Sequence, residues 1–278
     1  MDMNKQFGVR EIANVVLKAK ADMKIGNTDF AANEPVLYFD TLKTSTVEGA
    51  ATTVYATGGR GNARLISWDG ERTITFTMED ALISPMGLAI LTGAGLISEV
   101  KEAHFNTRIK GTVDTTGKVT ATWPNTDFKK PTIKENTTLK AYAGIVEEDG
   151  SNPDKLMEAT IDANGVEFTV SEKPKVEKTV TIFVDYYSNE NVLTIDIEPG
   201  KFSGNFYLEA ATLFRDTDGK DHAAEFIIPN CRVQSNFTFS MASSGDPSTF
   251  TFTMDAFPGY TTYDKTKKVL CAIQVLGE

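Results

Sequence analysis

Two histidines, His104 and His222, and two cysteines, Cys231 and Cys271, are the residues of this chain best suited to metal or nucleophile chemistry. They are far apart in sequence, and none has a partner at the spacing of a zinc site or a local nucleophile–base motif. Asp216-Thr217-Asp218-Gly219-Lys220-Asp221 has the carboxylate density of a calcium loop. Its glycine stands fourth where an EF-hand needs it sixth, and Lys220 takes the place of the third ligand. A hairpin turn at Asp218-Gly219 accounts for it better. The glycines of Gly58–Gly61 and Gly93–Gly95 lack the strand–loop–helix context of a phosphate cradle. The acidic run Glu147-Glu148-Asp149 reads as a solvated loop, and Lys129-Lys130 and Lys265–Lys268 as ordinary surface charge. These residues give no catalytic group, no metal ligand and no cofactor. The expectation is a protein that is not an enzyme.

What such a chain does must then lie in the surfaces its elements build. At 278 residues and 30.4 kDa it is long enough for two domains with real cores. Its 38 acidic against 28 basic residues give a net charge of -10, unsuited to gripping nucleic acid, which requires clustered Lys and Arg. The N-terminus has no apolar run, so no signal peptide is expected, and two cysteines make no disulfide framework. Synthesis in a reducing cytoplasm is expected. The longest apolar stretch, Ala81–Ile97, is broken by Ser84, Pro85, Thr92 and glycines, and falls short of the roughly 20 residues of a membrane span.

Strand signals dominate. Ile12–Ala19 and Val36–Phe39, on either side of a Gly26-Asn27 turn, read as an opening β-hairpin. Thr41–Asn62 is poor in large side chains, with Tyr55 its single aromatic, and reads as a long arm ordered only by a neighbour. In Thr73-Ile74-Thr75-Phe76-Thr77-Met78, strict alternation puts Ile74, Phe76 and Met78 on one face and three threonines on the other. Ser84-Pro85 then opens a short apolar helix over Met86–Leu91, closed by Gly93. That helix is expected to cover the core.

From about Gly111 to Glu198, glycines and prolines separate short alternating runs at Lys118–Trp123, Thr138–Val146, Val166–Val170 and Thr179–Tyr187. This is the pattern of a small β-sandwich, immunoglobulin-like (Ig-like), inserted into the main domain. The expected domains are residues 1–110 and 199–278, with 111–198 between them. After Pro199-Gly200 the first pattern resumes through Asn205–Phe214, Glu225–Ile228 and Phe237–Met241. Thr251-Phe252-Thr253-Met254 repeats Thr75-Phe76-Thr77-Met78, so the two are expected to pair in one sheet.

Val36–Thr44, Val54–Asn62, Trp68–Leu96 and Gly204–Phe257 together resemble the tail-tube (major tail) proteins of long-tailed bacteriophages. The resemblance covers the two flanks and stops at the middle segment. It implies a mainly β subunit, a tail-tube-type β-barrel or sandwich with one short flanking helix. It also implies assembly with copies of itself into stacked rings, usually hexameric, in the virion tail. Other partners would be a tape-measure protein, tail-terminus and baseplate proteins, and DNA that passes without being held. On that reading Thr73, Thr75, Thr77, Thr249, Thr251 and Thr253 line the lumen. Small neutral hydroxyls there expose little apolar area, and an acidic chain keeps DNA mobile. The arm, with Thr44, Glu48, Tyr55 and Arg60, makes subunit contacts. Two alternatives stand beside it: a carbohydrate- or receptor-binding sandwich using Trp123, Tyr142, Tyr186 and Tyr187, and the inner tube of a contractile bacteriocin or injection system.

Overall fold

The computed structural model describes residues 6–9, 11–93, 95–97, 103–124, 139–188, 193–239, 244 and 249–276. Lys129, Lys130, Thr138, Ser240 and Met241 lie outside these. The chain forms two compact units, Met1–Ile97 with Thr194–Glu278, and Ser98–Leu193. The flanking unit opens with β1 (Phe7–Val9), β2 (Asn14–Ala19), β3 (Met23–Ile25), β4 (Thr28–Phe30) and β5 (Pro35–Phe39). Two long strands come next, β6 (Leu42–Gly58) and β7 (Ala63–Asp80), then helix α1 (Pro85–Thr92) and β8 (Gly95–Ile97). The inserted unit holds β9 (Ala103–Val113), β10 (Lys118–Thr122), β11 (Ala141–Ile145), β12 (Met157–Ile161), β13 (Gly165–Thr169) and β14 (Lys178–Ser188). The chain then returns through β15 (Thr194–Asp196), β16 (Asn205–Asp216), β17 (Asp221–Val233), β18 (Phe250–Ala256) and β19 (Ala272–Val275).

In the flanking unit one sheet runs β5-β2-β16-β17-β18-β7-β6, with β1 added to β16 and β19 to β17. Its outermost strands, β5 and β6, are joined by Asp40-Thr41 alone, so the sheet wraps back on itself. The Ala13 N–H donates to Ser45 Oγ at 3.2 Å across that closure, and the Phe39 ring meets Phe252 edge-on at 5.0 Å. The inward positions Leu17, Phe76, Met78, Phe206, Leu208, Ile228, Phe252 and Met254 are buried to 1% exposure or less. Each contributes about 1.5–3 kcal/mol. β2 and β5 form the expected antiparallel pair, Val15 opposite Phe39. The two repeated segments are neighbours in the sheet, with Thr253 directly opposite Thr77 and Phe252 opposite Met78. Phe237–Phe239, expected as strand, belongs to no strand; its rings pack edge-on with each other at 5.3 Å and on to Phe250 at 5.4 Å.

Helix α1 follows its sequence signals closely. Ser84 Oγ accepts the Gly87 N–H at 3.0 Å, Pro85 fills the first turn, and Gly93 ends the helix at φ 70°. Ala89, Ile90 and Leu91 are buried in the same core as the sheet. A Cβ on Gly93 would stand 2.6 Å from the Phe202 backbone as well as force a left-handed conformation on an L side chain. Gly93→Ala is therefore expected to cost about 2 kcal/mol or more, read as a fall in the denaturant midpoint at unchanged slope.

The inserted unit refines the sandwich expectation. Its six strands close completely in the order β10-β13-β12-β11-β14-β9, the ring sealed by Val119 opposite Val113 and Thr120 opposite Thr112. Two facing sheets and a closed barrel share the same period-two pattern; only the pairing of the end strands separates them. β9 starts at Ala103, ahead of the glycine at 111 where the sequence punctuation changes, and pairs with β14 over its whole length. Ile109, Val119, Ile161, Val166, Ile182 and Val184 fill the interior.

The same turn is used in both units. Asp114-Thr115-Thr116-Gly117-Lys118 and Asp216-Thr217-Asp218-Gly219-Lys220 each end in a glycine–lysine pair, with φ of 87° and 80° at the glycines. In each, one carboxylate oxygen accepts backbone N–H groups two and four residues on, at 2.8–3.0 Å. The Thr116 hydroxyl and these N–H groups hold the Asp114 carboxyl below the usual carboxylate range.

Candidate functional site

The threonines of the alternating strands share one face with carboxylates, in rows set by strand register. Thr44, Glu79 and Thr251 form one row across β6, β7 and β18; Thr46, Thr77 and Thr253 the next; Glu48, Thr75 and Asp255 the third. Thr73 continues the face opposite Ala50. Residues directly opposite in an antiparallel pair, and those two apart along a strand, lie on the same side. Val47, Phe76, Met78, Phe252 and Met254, all packed in the core, take the other side together with the half-buried Ser45, which fixes the polar one as outward.

This face is neutral hydroxyl and carboxylate, held in place by its own hydrogen bonds. Glu79 accepts from the Thr44 hydroxyl at 3.4 Å and from the Thr249 hydroxyl, which lies one residue before β18 begins. Gln234 Nε2 donates to both oxygens of Asp255, at 3.0 and 3.1 Å. Farther across the sheet, Lys18 pairs with Glu209 at 2.5 Å, and burial, then the Glu209 charge, push the Glu225 carboxyl up. Thr44 and Glu48, grouped in the sequence with the arm, thus sit at its root on the threonine face.

Thr41–Asn62 is not an irregular excursion. It is the first strand of a long hairpin in which β6 and β7 stay paired from Leu42 opposite Asp80 to Gly58 opposite Ala63. The sequence hides the second strand because Ser67-Trp68-Asp69-Gly70-Glu71-Arg72 breaks the alternation that is clear from Thr73 on. Beyond Ala50 and Arg72 the hairpin leaves the sheet and nearly every residue is exposed. Its turn closes through the Asn62 N–H to the Gly59 carbonyl at 3.2 Å, with Arg60 at the tip.

The two faces of the tip differ. Val54 opposes Trp68 and Ala56 opposes Ile66, giving an apolar face on which Val54, Ile66 and Trp68 are 62%, 56% and 53% exposed. The other face carries Tyr55 opposite Ser67, with the Arg64 guanidinium 4.1 Å from the Tyr55 ring centre. Trp68 and Ile66, the largest contributors to the apolar face, were not singled out by sequence reasoning. Their signal was the isolated Leu65-Ile66-Ser67-Trp68 run between polar stretches.

Other candidate chemistry resolves into structure. Asp216 is buried, and its second oxygen meets His222 Nε2 at 3.0 Å while the first holds the turn, so its carboxylate serves the hairpin. Cys231 is fully buried and burial pushes its thiol up to about 12. Among the described residues no cluster of three metal-ligating side chains occurs, and no helix is long and apolar enough to cross a membrane. The four aromatics of the sugar-binding alternative do not form one platform. Trp123 and Tyr186 are 3% exposed inside the barrel, the indole N–H donating to the Asp162 carbonyl at 3.0 Å. Tyr142 and Tyr187 are half-buried, with Lys140 over both rings.

No curated protein matches this chain. A family model described as the YomU/Tube protein family matches residues 7–270, running through the inserted unit at whose borders the motif resemblance stopped. With a wrapped β-sheet, a capped core helix and the paired threonine strands, the chain belongs to the YomU/Tube protein family, a family of phage tail-tube proteins.

Proposed function

We propose that this chain is the structural subunit of a bacteriophage tail tube, assembling with copies of itself into stacked rings, hexameric by family resemblance, that conduct DNA. The observation that carries it is the β6–β7 arm, which holds Val54, Ile66 and Trp68 in water on a paired two-stranded ribbon. Keeping such a face uncovered is costly unless another chain covers it, and an edge strand as long as β6 offers backbone groups to a neighbour. The tube is assembled in the host cytoplasm around a tape-measure protein, ends against tail-terminus and baseplate proteins, and works without cofactor or catalysis. Negative-stain microscopy of the purified protein tests it: rings or tubes are expected, and a monomer under all conditions would remove the reading.

The threonine–carboxylate face is the surface suited to the lumen. On β6, β7 and β18 its three central rows carry no Lys or Arg, the next residue along the third row being Arg232 on β17, opposite Asp255, so passing phosphates find mainly repulsion and weak hydroxyl contacts there. Thr77→Lys with Thr253→Lys places two opposed ammonium groups in its middle row. Tubes of the double variant are expected to co-sediment with DNA at low salt and release it as salt rises, whereas unmodified tubes do not retain it. Equal retention by both would move this face off the lumen.

A further inference from the structure

Midway along the arm the two strands fall out of step. Ala51 lies opposite Arg72, but the next pair is Thr53 with Asp69, so Thr52 stands against both Gly70 and Glu71. The Thr52 hydroxyl turns into this irregularity and accepts the Glu71 N–H at 2.9 Å. Gly70 lets the strands approach there: a Cβ at that position would fall inside contact distance of the Thr52 hydroxyl and 3.2 Å from the Thr52 carbonyl oxygen. Extra residues of this kind bend a strand and tighten its twist. A free two-stranded ribbon has little else to fix its direction.

We propose that Thr52 and Gly70 form a fixed elbow in the arm, positioning residues that set the direction in which the Val54–Ile66–Trp68 face is presented to a second copy of this chain. The inference rests on the tube reading for its partner, and on the bulge alone for its geometry. The root, from Leu42 to Ala51, is tied into the sheet through Ser45 and Val47, whereas the tip beyond Thr53 is held by the pairing of its own two strands. A second irregularity lies farther out, between Ala56 and Thr57, beyond the apolar face, so direction at the elbow decides where the Val54, Ile66 and Trp68 face arrives. Six residues past it, about 20 Å out, a change of about 20°, the size of one ordinary strand-to-strand twist, moves the tip by about 7 Å. That displacement exceeds what an interdigitating apolar contact tolerates.

The test uses the full chain with Cys271→Ser and spin labels at Lys24→Cys and Thr57→Cys. Thr52→Val keeps the side-chain shape and loses the acceptor, Thr52→Ser keeps the acceptor, and Gly70→Ala crowds the elbow. For Thr52→Val and Gly70→Ala the label-to-label distance is expected to shift or spread by about 7 Å, with melting temperature unchanged and tubes lost. Thr52→Ser should restore both the distance and the tubes. An unaltered distance in Thr52→Val overturns the elbow, as does a displaced tip that still builds normal tubes. If the unsubstituted chain forms no tubes, the tube reading fails, while a shifted distance still supports the elbow.

Discussion

A chain in which Thr53–Asp69 is replaced by an Asn-Gly turn is expected to fold, to melt where the intact protein melts, and to form neither rings nor tubes. Nearly every residue removed is exposed, and exposed substitutions away from special features change stability by only about 0.5 kcal/mol. Assembly, by contrast, loses Val54, Ile66 and Trp68 together, and large aromatic and aliphatic anchors carry most of an interface's binding energy. The position of the cut matters. Ser45 and Val47 belong to the closed sheet, one accepting the Ala13 N–H and the other packed on the core, so a deletion running from Ser45 to Gly59 would damage the fold. Sedimentation and negative-stain microscopy read the outcome. Tubes formed by the tip-less chain would strike the arm from assembly altogether.

The largest expected effect on stability comes from Phe252→Ala. Phe252 is fully buried, lies opposite Met78 in the sheet and stacks edge-on against Phe39, which stands on the strand at the far edge. Truncation removes the ring and leaves a cavity where the sheet closes on itself, a loss of about 3–5 kcal/mol from a total of order 5–15. Its neighbour Thr253, on the outward face, should cost far less when changed to Ala. Denaturant unfolding of the two variants separates the faces: similar losses would contradict the assignment of Phe252 to the core and Thr253 to the solvent side.

How much of this was legible in the sequence depended on whether a local rule was in force. Ser84, Pro85 and Gly93 announced α1 because capping is decided within a few residues. Thr75–Met78 and Thr251–Met254 announced their own pairing because one face is buried and one is wet, and a one-residue slip would invert both. The outer half of the arm obeys no such rule. With both faces in water, Arg64–Arg72 is free of the alternation that burial imposes, and Gly70 reads as a breaker although it sits inside a strand. Closure of the inserted barrel was equally hidden, since Val113 and Val119 look the same whether their strands meet or part. Within the site, the threonines could be read one strand at a time, but the rows they form with Glu48, Glu79 and Asp255 exist only in the register of three strands.

The pairing of Ala103 with Ser188, at the two ends of the inserted barrel, bears on the order of events during synthesis. β8 and β15 are separated by the whole insertion, so their pairing must close a very long loop. Once the barrel has formed, its entry and exit are held together, and a roughly 90-residue excursion behaves as a connection of about 10. By the logarithmic dependence of closure entropy on length, that relieves the later step of about 2 kcal/mol. The insertion thus works as a clasp: it emerges from the ribosome before β16, β17 and β18, pairs its strands only among themselves, and delivers strands β16 to β19 to the waiting half-sheet.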